Sequence, residues 1–192
     1  MRLESCVLAL SAVLLVSCKD AEQPNKSTKA RVLAKPGPVW GRDLANALGL
    51  QEWELCEELG AYDCIADAHR ITLGGVEPTE LGIDQPLADA PVSAPIAVDR
   101  VAVAACGERL ARDEAGPAVL FGPVLEKDDA RARREVAQNL VRRILARHPN
   151  ETEVSGLVAL YDTIAPLTDD PTREWSIGAC MVVATSTEAL FY

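Results

Sequence analysis

Apolar residues recur at every fourth position through much of the C-terminal half. Ala132, Val136, Leu140 and Ile144, flanked by Ala137, Val141 and Leu145, predict a helix over 129–147. Asp128 stands before it as an N-cap, and His148-Pro149 ends it. Asn150 followed by Glu153 has capping-box spacing, and Val154, Leu157, Val158, Tyr161 and Ile164 form the apolar stripe of the next helix. Asp170-Pro171 has the cap and first-turn chemistry of a last helix, running through Trp175, Ile177, Cys180, Met181 and Val182 towards Leu190. Connections this short place the last three helices as antiparallel neighbours.

Upstream, Val98, Val101, Ala102, Ala105, Cys106 and Leu110 mark one face of a helix over 95–114, stopped by Gly116-Pro117. Leu44, Leu48, Leu55 and Leu59, with Trp53 between them, predict one or two short helices between Asp43 and Gly60. Gly49 is their break and Gly60 the C′ residue. Cys64 to Arg70 adds a further turn. Residues 71–95 hold three glycines and four prolines and follow neither a 3.6 nor a 2.0 period, so they read as a strap. The expected fold is all-α: an irregular helical bundle carrying one long Pro/Gly-rich strap.

The first residues have a different character. Arg2 supplies a short positive start, partly offset by Glu4, and Cys6–Val16 is an apolar run of eleven. That run is too short for a membrane span and has the length of a signal-peptide core. It ends in Leu15-Val16-Ser17-Cys18, which resembles the lipobox of bacterial lipoproteins. The resemblance implies cleavage before Cys18 and acylation of that cysteine. Lys19 stands where the best-known sorting rule places a retention aspartate, so it further implies anchoring in the cell outer membrane. Two or three acyl chains hold a protein at a bilayer effectively permanently. Residues 18–39 are polar, with two prolines at 36 and 38 besides Pro24, and read as the lipidated cysteine and its tether. A single helical domain over 40–192 follows, long enough for one substantial core.

Six cysteines then divide cleanly. Cys6 leaves with the signal and Cys18 carries lipid, which leaves Cys56, Cys64, Cys106 and Cys180 as an even set in an exported chain. Three pairings are possible; a local Cys56–Cys64 clasp with a long-range Cys106–Cys180 bridge is favoured. No C-x-x-C or C-x-x-C-H occurs and there are only two histidines, so neither metal nor haem is expected as a cofactor.

Charge narrows the partners. Nineteen basic against 29 acidic residues give −10, which argues against nucleic acid. Yet Arg131, Arg133, Arg134, Arg142, Arg143 and Arg147 gather on one helix. Arg131, Arg134 and Arg142 fall away from its apolar line, making them candidate contacts for an acidic envelope partner. Asp67 and His69 in Tyr-Asp-Cys-Ile-Ala-Asp-Ala-His-Arg could form an acid–base pair, with no nucleophile marked beside them. Asp128-Asp129 and Asp169-Asp170 read as helix caps before they read as calcium ligands. G-x-S-x-G, H-E-x-x-H, G-x-G-x-x-G and P-loop patterns do not occur, and no catalytic residue is assigned.

A second resemblance concerns the C-terminal third. Leu140-Val141-Arg142-Arg143-Ile144-Leu145, then Glu153-Val154 and Leu157-Val158-Ala159-Leu160-Tyr161-Asp162, resemble a helical module of planctomycete-type cytochrome c proteins of unassigned function. The closing Val183–Tyr192 is similar to that family's Ser-Pro-x-Phe-Leu-Tyr-Arg ending, with Thr187 in place of the proline and no final arginine. The family's haem-attachment motif is lacking, so this resemblance implies an accessory role beside an extracytoplasmic electron-transfer system. The residue reading itself points to a non-catalytic interaction or scaffold subunit of a cell-envelope complex.

Overall fold

The computed structural model describes residues 33–87 and 90–192. The signal segment 1–17, Cys18 and the tether up to residue 32 lie outside the described residues. Residues ahead of the expected boundary at Trp40 are already fastened to the fold. Leu33 accepts a hydrogen bond from Tyr192 N at 2.9 Å, Lys35 N donates to Leu190 O at 2.8 Å, and Ala34 bridges Phe191. The first helix, α1 (Gly37–Leu48), starts behind Pro36, and buried Gly37 donates its N–H to Leu73 O at 2.7 Å. Pro36 and Pro38 therefore initiate a helix where the sequence reading placed a tether. Prolines are tolerated there because first-turn N–H groups have no helical partner.

The fold is mostly helical. After α1 closes at Gly49, a 3₁₀ turn spans Glu52–Glu54. It is followed by a two-stranded hairpin, β1 (Glu57–Glu58) and β2 (Tyr62–Asp63), and a π-helical turn over Cys64–Ala68. The long α2 (Ala94–Ala115) and the short α3 (Gly122–Glu126) precede α4 (Ala130–Ile144), α5 (Glu151–Ile164), α6 (Pro171–Ala184) and α7 (Thr187–Leu190).

The hairpin corrects two expectations. The domain is not purely α, and Gly60 lies in a hairpin turn, not at a helix C-terminus. Leu59 and Trp53, read as apolar members of a helix, point to solvent; Trp53 is 69% exposed. The misreading has a physical cause: Leu55 and Leu59 have helical spacing, but Cys56 bonded to Cys64 forces the chain back on itself within eight residues.

One core joins all the larger helices. Trp175, Phe121, Leu44, Leu48, Leu110 and Leu140 are among its fully buried side chains. The most extensive helix pair is α2 with α6, where Cys106–Cys180 bridges them with a Cα separation of 5.9 Å. α4, α5 and α6 pack on one another as the short connections required. Two indoles satisfy their N–H groups inside this core: Trp175 donates to Leu157 O at 2.8 Å and Trp40 to Ala184 O at 3.3 Å.

Helix ends follow their cap chemistry. Asn150 and Glu153 form the expected capping box, and Asp170 accepts from Arg173 N. The cap of α4 is Asp129 instead of Asp128, accepting from Ala132 N at 2.9 Å. Asp128 instead receives the Tyr161 hydroxyl at 2.8 Å and the Thr172 hydroxyl at 2.6 Å, and it pairs with Arg133. It thereby ties α4 to α5 and α6. The last helix also ends sooner than read: α6 stops at Ala184, and Ser186 caps the separate α7.

The segment after the π turn has local order of its own. Glu77 and Ile83 bridge, Arg70 pairs with Glu77, and Leu73 is buried. Helix α2 begins at Ala94, just inside the expected end of that segment at 95.

Two acidic groups give the fold an acid-sensitive edge. The Lys127 ammonium and then the Ala132 N–H hold the Asp129 carboxyl down at about 2, and the Arg147 guanidinium and then the Asn150 N–H hold Glu153 at about 2. Folded pKa values depressed in this way contribute stability above about pH 4.5, lost as pH falls towards 2. Thermal unfolding followed by circular dichroism should therefore show a falling Tm across that window. The Asp129→Asn/Glu153→Gln variant should show a shallower fall. An equally steep fall in that variant would place the acid sensitivity elsewhere.

Candidate functional site: a groove between the hairpin and α2

The hairpin is short but heavily fastened. Cys56 and Cys64 face each other at 5.5 Å between Cα atoms, and Cys64 N donates to Cys56 O at 3.2 Å. Glu58 pairs with Tyr62 in register, and Ala61 N returns to Glu58 O at 3.2 Å. Between them Leu59 (φ 55°) and Gly60 (φ 68°) both adopt left-handed conformations, the pattern of a type I′ turn. Beyond the turn, the Asp63 carboxylate accepts from Ile65 N and Ala66 N and so starts the π-helical turn.

His69 reports on how that turn is used. Its Nε2 lies 2.8 Å from Glu58 Oε1, and Arg100 Nη2 of α2 reaches the same oxygen at 3.0 Å. The expected Asp67–His69 pair does not form: Asp67 accepts from Asp63 N at 3.1 Å and pairs with Arg70. Glu58 was missed because eleven residues and a chain reversal separate it from His69, and only the hairpin brings them together. Chemically, the cluster is a latch. Among the described residues all four cysteines are bonded in pairs, so none of them offers the imidazole a thiolate.

An open groove of about 500 Å³ lies between this hairpin and α2. Cys56, Glu57 and Leu59 form one wall; Asp99, Arg100 and Val103 form the other. Among the described residues, no group of three or more His, Cys, Asp and Glu is placed to hold a metal ion. No helix of the described residues is long and apolar enough to cross a membrane.

The arginines of α4 divide into engaged and outward groups. Arg143 Nε donates to Ala47 O at 2.6 Å, capping the carbonyl end of α1. Arg133 lies over the Tyr161 ring at 3.7 Å, and Arg147 bonds both Glu153 and Glu188, joining α5 and α7 to the end of α4. Of the three docking candidates, Arg134 pairs with Glu151. Arg142 contacts only the neutral side chains of Asn139 and Gln138. Arg131 is exposed and has no carboxylate partner among the described residues. Two free cations therefore remain of the three; the third is used to join α4 to α5.

A buried ion pair escaped the sequence reading altogether. Arg109 and Asp113, each only 4% exposed, meet at 2.7 Å on the core side of α2. The Asp113 carboxylate also accepts from Val119 N, Leu120 N and Phe121 N at 2.8, 2.9 and 2.7 Å. The signal was present: positions 102, 106, 109 and 113 continue one helical stripe, which places both charges on the buried face. No protein-family model, curated protein or solved structure matches this chain.

Proposed function

We propose that this chain is a lipoprotein anchored through Cys18 in the cell outer membrane, where its helical domain serves as a non-catalytic interaction subunit of an envelope complex. In the same reading the helices form an irregular bundle and residues 71–95 its strap. One observation supports export above all: the four cysteines of the described residues form the two bridges expected of an oxidising compartment, Cys56–Cys64 and Cys106–Cys180. The anchor itself rests on the eleven-residue apolar run ending in Leu15-Val16-Ser17-Cys18. The interaction role is supported by the nature of the groove: its lining carboxylate Glu58 is spent on Arg100 and His69 and fastens the hairpin to α2.

The anchor is tested by labelling cells with a clickable palmitate analogue and fractionating them. Wild-type protein should carry label and sediment with outer membranes, and Cys18→Ala should lose both properties. An unlabelled wild-type protein, or a Cys18→Ala protein still held at the membrane, would refute the anchor.

A further inference from the structure

Helix α2 carries apolar residues on two sides, the outward ones standing beside Asp99 and Arg100. Its core side carries Ala97, Val101, Ala102, Ala105 and Cys106, all buried. On its outward side Ile96 and Val103, seven residues apart and so on one stripe, are 63% and 43% exposed.

The hairpin tip has the same character. Leu59 occupies the first central position of the type I′ turn, which favours Asn, Asp or Gly. It is 93% exposed. A branched aliphatic side chain is disfavoured there by its backbone conformation and again by its contact with water. No packing among the described residues offsets either effect. Leu59 and Val103 line opposite walls of the groove.

Charge selects the occupant. Arg100 is held by Glu58, whereas Glu57 and Asp99 line the groove without an ion-pair partner among the described residues. The groove thus offers apolar walls rimmed by unpaired carboxylates, on a protein of net charge −10. A second copy of the chain would bring like charges together, and an anionic lipid surface would be repelled.

We infer that the groove between the hairpin and α2 docks a cationic amphipathic segment of a partner protein, with apolar side chains against Leu59 and Val103 and Lys or Arg against Glu57 and Asp99. The inference rests on the interaction-subunit reading and names the surface and the chemistry of its partner. The test uses the full chain in native membranes, with photoreactive benzoylphenylalanine in place of Val103 and sequencing of the crosslinked segment. The recovered segment should carry Lys or Arg interleaved with apolar residues. Crosslinking should fall at least tenfold in Leu59→Asn and in Glu57→Gln/Asp99→Asn. Leu59→Asn should melt no lower than wild type, since Asn tolerates the left-handed turn, so its loss of crosslinking reports docking and not unfolding.

Recovery of residues 19–32 of this chain, of a second copy, of lipid, of an acidic segment or of nothing would overturn the inference. So would crosslinking that survives Leu59→Asn. Partner recovery lost in Arg131→Gln/Arg142→Gln but unchanged in the groove variants would move docking to α4 and overturn it too, while leaving the interaction-subunit reading intact.

Discussion

Removing the bridge between α2 and α6 with Cys106→Ala/Cys180→Ala will destabilise the domain by about 4.5 kcal/mol, because the bond closes a loop of 74 residues in the unfolded chain. The Cys56–Cys64 bridge spans only eight, and its removal should cost about 2.5 kcal/mol on the same chain-entropy argument. Against a typical stability of roughly 5–15 kcal/mol, the first loss is a large fraction of the total. Urea unfolding of the two variants should therefore give well-separated midpoints. Access orders their chemistry as well. Cys106 and Cys180 are fully buried, whereas Cys56 lines the open groove, so mild reductant should open Cys56–Cys64 first. Equal destabilisation by the two variants, or alkylation of Cys106 and Cys180 without prior reduction, would remove the case for a structural long-range bridge.

Asp113→Ala should cost at least about 3–5 kcal/mol, the range for removing one partner of a buried ion pair. The substitution leaves the Arg109 guanidinium charged and enclosed, and it also strips acceptors from three N–H groups at Val119, Leu120 and Phe121. Those two effects can be separated. Arg109→Met/Asp113→Ala removes the uncompensated charge but not the orphaned N–H groups, each of which carries a penalty of roughly 1–3 kcal/mol. The double variant should accordingly be more stable than Asp113→Ala alone and less stable than wild type. A loss below about 1 kcal/mol for Asp113→Ala would mean that the 119–121 turn finds other acceptors.

Helix α3, which no apolar period announces, is positioned by the same carboxylate. Asp113 holds the N–H groups of residues 119–121, and that turn leads directly into Gly122–Glu126. Its five residues are too few to display a helical repeat. The hairpin escaped for a related reason. Two-residue strands carry no alternation, and the reversal at Leu59-Gly60 places an unfavoured residue in a turn that sequence rules would assign to Asn-Gly.

What the sequence determined alone were the long α2, α4, α5 and α6, the caps at Asn150 and Asp170, and the even set of four cysteines, whose pairing the fold selects. These depend on neighbours three or four residues away, or on the parity of a small set, so the local order of residues suffices. Tertiary structure decided the rest. It paired His69 with Glu58 instead of Asp67, spent Arg134 on Glu151, drew Asp128 away from its helix to Tyr161 and Thr172, and set Leu59 and Val103 across one groove. Each of these outcomes depends on which side chains the packing of α2, α4, α5 and α6 leaves within hydrogen-bond reach. A charged group is drawn to the nearest opposite charge in space, and only the folded chain sets that distance.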